Sequence, residues 1–128
     1  MAGTRLLVTG YVLTTGCKPI RRALVDFWQA DAGGVYDNDG YRLRGHQFTD
    51  ATGRYRLDTI VPGIYTGRTK HIHVKVQRPG GAVLTTQLFF PGVSANTGDG
   101  LFESDLLVQR WRRASGRRTA RFDFVLAA

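Results

Sequence analysis

Cysteine is almost absent from this 128-residue chain: Cys17 is the only one, so neither an internal disulfide nor a cysteine-rich metal cluster can form. No apolar run approaches the roughly 20 residues that a membrane-spanning helix requires, and no membrane partner is expected. Prolines number only four and 42% of residues are hydrophobic, which excludes low-complexity or disordered character. Histidine is scarce as well, with three in all (His46, His71, His73), so an imidazole site has few ways to be built. Other catalytic signatures are missing too. There is no glycine-rich phosphate loop opening a helix, and none of Ser94, Ser104 or Ser115 sits in a nucleophile elbow. The DNDG turn at 37–40 fails as an EF-hand, because Phe48 falls where the bidentate Glu belongs.

What is there suits one domain, residues 1–128, long enough to bury about 65 to 70% of its unfolded surface without staples. Eighteen cations against ten anions give a net charge of +8, and only Lys18, Lys70 and Lys75 are not arginines. Six arginines crowd the segment 110–121 (RWRRASGRRTAR) around Trp111. A phosphate-tracking patch would look like this, but so would a solvated loop, and nucleic acid is the disfavoured partner. Residues 5–13, 23–29, 53–58, 70–77, 82–90 and 119–126 are rich in β-branched and aromatic side chains, several with period two. Turn signals such as TTGCKP, DAGG, DATG, RPGG and FPG separate them. Residues 101–113 (with SDLLVQRW) carry the single helix-like spacing, so an all-β sandwich of two mostly antiparallel sheets with little helix is expected.

Within that frame, HIH at 71–73 is the first chemically pointed feature. A strand sends His71 and His73 to one face, about 7 Å apart along the backbone, and Ile72 and Val74 to the other. Two same-face imidazoles can converge on a metal ion, and further ligands could be His46, a carboxylate among Asp31, Asp37, Asp39 and Asp50, or a phenol. Tyr36 lies in a glycine-led loop (DAGGVYDN) and Tyr65 follows the turn VPGI. Two phenolates suit a hard trivalent cation whose remaining positions are neutral imidazoles and hydroxide. Residue types and spacing leave these options open, together with the plainer reading of all four side chains as structural.

The blocks KPIRRALVDFWQADAGGVY, LRG, TDATGRYRLDTIVPGIY, RTKHIHVKV, TTQLFFPG and FDFVL, in this order, resemble the catalytic domain of the intradiol ring-cleavage dioxygenases from Gly10 to Leu126. The resemblance implies a prealbumin-like or immunoglobulin-like β-sandwich with one non-haem Fe(III) ion per chain, held by Tyr36, Tyr65, His71 and His73. It implies that a catechol-type diol and dioxygen are the substrates and a muconate-type dicarboxylate the product. Tyr65 is then also a proton acceptor, Arg68 stabilises negative charge developing on the ring, and Gln87 orients the bound substrate. The chain departs from the family pattern in three ways. It carries no N-terminal helical region, it spaces Tyr65 and His71 by only TGRTK, and it has Thr69 and Lys70 where a proline and a small residue are usual. A shallow, open pocket is expected, with arginines on its rim favouring anionic aromatics. A monomer is favoured. The start reads as a first strand and not as a signal peptide, and a secreted location with any leader trimmed is favoured over a cytoplasmic one. Two alternatives stand beside this reading: a metal-free prealbumin-like binding module, and a basic nucleic-acid-binding β-domain centred on 110–121.

Overall fold

Alternation of apolar and polar side chains decides which strand faces are covered. In the computed structural model, which describes residues 3–35, 43–64 and 68–127, β1 (Arg5–Thr14) turns Leu6, Val8 and Val12 inward, each fully buried. The same rule operates in β4 (Arg54–Ile60), which buries Tyr55 and Leu57, and in β5 (His71–Gln77), which buries Ile72, Val74 and Val76. Together with Val25 of β2 (Leu24–Gln29) and Leu88 of β6 (Val83–Phe89) they fill one core between two layers. The first sheet has the order β4-β1-β8-β7, where β7 is Gln109–Ala114 and β8 is Arg117–Arg121, and β9 (Phe124–Leu126) also pairs with β1. The second has the order β3-β2-β5-β6, with β3 at Arg44–Phe48. Pairings between these strands are antiparallel except those of β1 with β8 and β9. The expected all-β sandwich is therefore observed.

The long β1 serves two partners because the chain shifts between β8 and β9 at Phe122 and Asp123. Phe122 N–H donates to the Thr9 carbonyl (3.0 Å), and the buried Tyr55 hydroxyl donates to the Phe122 carbonyl (2.6 Å). Gly10 permits this approach, since a Cβ there would lie 1.8 Å from the Phe122 oxygen.

Several local expectations are corrected. Residues 101–113 form no α-helix: a single 3-10 turn covers Ser104–Leu106 and a strand begins at Gln109. A bulge between Gln109 and Arg112, with Arg110 at φ 52°, inserts a residue into the period of two and so imitates helical spacing from Val108 to Trp111. The arginine-rich segment is not a loop. It is the β7–β8 hairpin, closed by Ser115 and Gly116, both at positive φ as a two-residue primed turn demands. The expected strand 119–126 is two strands. The strand β3 was not expected, because RGHQF has no apolar alternation and is recruited by pairing with β2 at the sheet edge.

Candidate metal centre

Burial of Ile72, Val74 and Val76 in the core forces His71 and His73 onto the outer face of the second sheet. Their Nε2 atoms converge to 3.0 Å, with the rings nearly perpendicular. The backbone just upstream sets the tautomer: the Nδ1–H of His71 donates to the Thr69 carbonyl (2.7 Å), which leaves Nε2 with its lone pair directed outward. Burial pushes the His71 pKa down. The bond to the Thr69 carbonyl partly offsets this, and the Arg68 charge adds to the lowering. For His73, burial, then the neighbouring His71 and Arg68, take it to about 4. Both rings are thus held neutral at physiological pH, which is the state a metal ion needs. Trp28 of β2 stacks on His73 with ring centroids 5.0 Å apart and planes 6° from parallel, fixing that ring from the side.

Arg68 and Gln87 are brought to the same place. Arg68 Nη2 donates to Gln87 Oε1 (2.6 Å), and its Nη1 lies 3.5 Å from His71 Nε2. Gln87 stands directly across from His73 in the β5–β6 ladder. Because its carbonyl oxygen is occupied by Arg68, the amide presents its N–H2 as the remaining polar end.

Asp99, which no sequence motif singles out, organises this corner. Its Oδ2 accepts from Arg68 Nε (2.7 Å) and from the Thr69 N–H (2.8 Å), while Oδ1 accepts from the Leu101 N–H (2.8 Å). The carboxylate side chain is 1% exposed, against 20% for Arg68. Burial pushes its pKa up, yet the bonds from Arg68, Thr69 and Leu101 more than offset that and hold it below the usual carboxylate range. Asn96 reinforces the same strap, accepting from Thr69 Oγ1 (2.6 Å) and donating to the Phe90 carbonyl (2.9 Å). A Thr at 69 supplies an N–H that a proline there could not. Asp99 lies 31 residues from Arg68 in a loop without periodicity, so no local signal pointed to it.

Tyr36 and Tyr65 lie outside the described residues, but the segments leading to both are locked together. The Asp31 side chain accepts from the Gly33 and Val35 N–H groups, and its carbonyl accepts from the Gly63 N–H (2.8 Å). A Cβ at Gly63 would lie 2.5 Å from both the Ala32 oxygen and the Gly34 nitrogen. The buried Gln29 ties the two segments at their roots: its Nε2 donates to the Ile60 carbonyl (2.8 Å), and its Oε1 accepts from Thr59 (2.8 Å). Val35, one residue before Tyr36, and Gly63, two residues before Tyr65, therefore belong to one hydrogen-bonded unit.

This donor set fits a metal ion as far as it is described. Two nitrogens 3.0 Å apart, each about 2.1 Å from a cation, subtend about 90°, the angle between adjacent ligands of a five- or six-coordinate ion. Among the described residues no group of three or more His, Cys, Asp or Glu could hold a metal, so completion by Asp31 or Asp50 finds no support. Asp37 and Asp39 lie outside the described residues. His46 does not join the pair: it is exposed on β3 opposite Asp26, with β2 between it and β5.

Comparison with known proteins gives a consistent picture. A family model described as Dioxygenase matches residues 1–128. The protocatechuate 3,4-dioxygenase beta chain of Burkholderia cepacia is 38% identical over 79% of this chain and 51% of its own length. Catechol 1,2-dioxygenase 2 of Acinetobacter lwoffii is 31% identical over 98% of this chain and 54% of its own. The chain thus spans about half the length of the curated relatives it matches. Among solved structures, the dioxygenase domain of a dioxygenase–carbohydrate-binding protein fusion from Streptomyces sp. SirexAA-E superposes with a TM-score of 0.96 at 56% identity, covering 99% of this chain and 82% of that one. The 3-chlorocatechol 1,2-dioxygenase of Rhodococcus opacus superposes at 0.90 with 30% identity, covering 98% of this chain and 61% of that one.

Proposed function

The chain belongs to the intradiol ring-cleavage dioxygenase family, and we propose that it opens catechol-type aromatic diols between the two hydroxyl-bearing carbons, consuming dioxygen and giving muconate-type dicarboxylates. One non-haem ferric ion per chain, held by Tyr36, Tyr65, His71 and His73, would supply the Lewis acidity that ionises the diol and draws electron density from its ring. The observation that carries this reading is the meeting of the buried His71 and the half-buried His73, nitrogen to nitrogen, with Arg68 and Gln87 on one sheet face.

The chain's own groups divide the remaining work. Tyr65 accepts a proton from the incoming diol at its phenolate oxygen. Arg68, anchored by Asp99 and Gln87, keeps a guanidinium edge aimed at the space beside His71 and stabilises negative charge as it develops on the substrate. Gln87, its carbonyl engaged, orients a substrate oxygen through its N–H2. Trp28 and Thr69 hold the two imidazoles in position. The carboxylate of Asp99 compensates the charge of Arg68, which otherwise opposes a cation close by.

A metal-free binding module offers no reason to bring two imidazoles together nitrogen to nitrogen. The test separates the readings. Protein loaded with ferric iron should bind about one ion per chain, the stoichiometry of a single mononuclear site, and take the red to burgundy colour of phenolate-to-iron charge transfer. Tyr36→Phe should bleach it, since a phenyl ring has no ligand atom. Colourless wild-type protein that retains no iron would rule this function out.

A further inference from the structure

Outside the metal centre, three cationic side chains share one cleft of about 290 Å³ between the sheets. Arg113 of β7 and Arg118 of β8 contribute from the first sheet, and Lys70 and Phe90, which flank β5 and β6, from the second. Arg113 and Arg118 are direct cross-strand partners, so their side chains leave the same face with like charges opposed, which destabilises a sheet unless something compensates. Arg118 lies 5.0 Å over the Trp111 ring, and Trp111 packs on the buried Phe90 at 5.3 Å. Among the described residues no Asp or Glu lines the cleft and none of the three cations is in an ion pair. Neither His71, His73 nor Gln87 lines it, so it is separate from the candidate metal centre.

Three uncompensated charges over an aromatic floor call for an anion with an apolar body. We propose that this cleft binds a conjugated dicarboxylate, the class of product that the proposed ring opening releases. The choice of ligand rests on that function, whereas the presence of an anion site rests on the cleft alone. Two neighbouring guanidiniums bind one carboxylate with paired charge-assisted hydrogen bonds, and Lys70, on the opposite wall, takes the other. The flat chain between them lies against Trp111 and Phe90. The volume is close to the lower bound of small-molecule sites, which suits a ligand of one-ring size.

The test is calorimetric titration of the iron-loaded protein with cis,cis-muconate, benzoate and inorganic phosphate. Muconate should bind saturably with Kd below about 1 mM, benzoate more weakly and phosphate most weakly. Arg113→Ala and Arg118→Ala should each weaken muconate at least about tenfold, the loss of one charge-assisted pair, while leaving the initial rate with catechol unchanged. Arg113 is exposed on an edge strand, so that arm holds even if Arg118→Ala lowers the folded yield. Arg68→Ala should not alter muconate binding. No saturable muconate binding up to about 10 mM would overturn the proposal and leave the arginines as inward-pointing protection of the sheet edge. So would phosphate binding more tightly than muconate, or binding lost in Arg68→Ala but kept in Arg113→Ala, which would put the ligand at the metal centre. Failure of ring cleavage with muconate binding intact would sink the proposed function and not the cleft.

Discussion

Asp99→Asn keeps the size of the side chain and removes its charge from a corner where that charge is nearly inaccessible to water. The carboxylate accepts three hydrogen bonds, two of them on the oxygen that faces Arg68. An asparagine can satisfy that side or the Leu101 side with its carbonyl, and the other side then meets an N–H2 against donors. Removing one partner of a buried ion pair costs about 3 to 5 kcal/mol, and the partial exposure of Arg68 lowers the expectation to about 2 to 4 kcal/mol. At about 2.1 cal/mol/K per residue, the unfolding entropy of 128 residues is about 0.27 kcal/mol/K, so Tm should fall by about 7 to 15 °C. The guanidinium loses its anchor at the same time, and kcat should fall about 10- to 100-fold, part of the loss expected when one charge-stabilising donor is removed. The assay is a double-mutant cycle with Arg68→Ala, scored by thermal unfolding and by kcat. If Asp99 acts through Arg68, Asp99→Asn adds little in the Arg68→Ala background. A Tm shift below about 3 °C, or full additivity in both measurements, would show that Asp99 does not act through Arg68.

Other outcomes follow from the same geometry. Arg68→Ala should lower kcat about 10²- to 10³-fold with a smaller change in KM, measured by steady-state oxygen uptake; an equal rise in KM at constant kcat would make Arg68 a binding group only. Gly63→Ala forces the Asp31–Val35 and Pro62–Ile64 segments apart, so it should cost about 1 to 3 kcal/mol in thermal unfolding and reduce bound iron per chain. Gly16→Ala, with no atom nearer than 3.7 Å to the new methyl, should do neither, and equal effects at the two glycines would contradict the account. In the metal-free protein both imidazoles have lowered pKa values, so the unfolded chain takes up more protons between about pH 6.5 and 4. Stability should therefore fall as pH drops through that window and continue falling below it as Asp99 is protonated, and a Tm that rises on acidification would have the sign wrong.

The strands that carry the site were legible because burial imposes a period of two: Ile72, Val74 and Val76 announce which way His71 and His73 must face. Gln87 is singled out by the register of the family blocks, and it stands opposite His73 in the β5–β6 ladder. What was not legible depends on long-range bonding. Asp99 meets Arg68 across a loop, and β3 exists because β2 offers it an edge. The bulge at Arg110 disguised β7 as a helix, and the charge of its hairpin disguised strands as a loop. In the first sheet, two of that hairpin's arginines, Arg113 and Arg118, line the cleft beside Trp111.

Insertion of dioxygen between the two hydroxyl-bearing carbons of a diol is read out by mass analysis of the product from iron-loaded protein, catechol and ¹⁸O-labelled dioxygen. The expected product is a six-carbon unsaturated dicarboxylate that carries both labelled atoms, formed with one oxygen molecule consumed per catechol. A product with an aldehyde from cleavage outside the diol, or no oxygen uptake by protein that holds its iron, would contradict it.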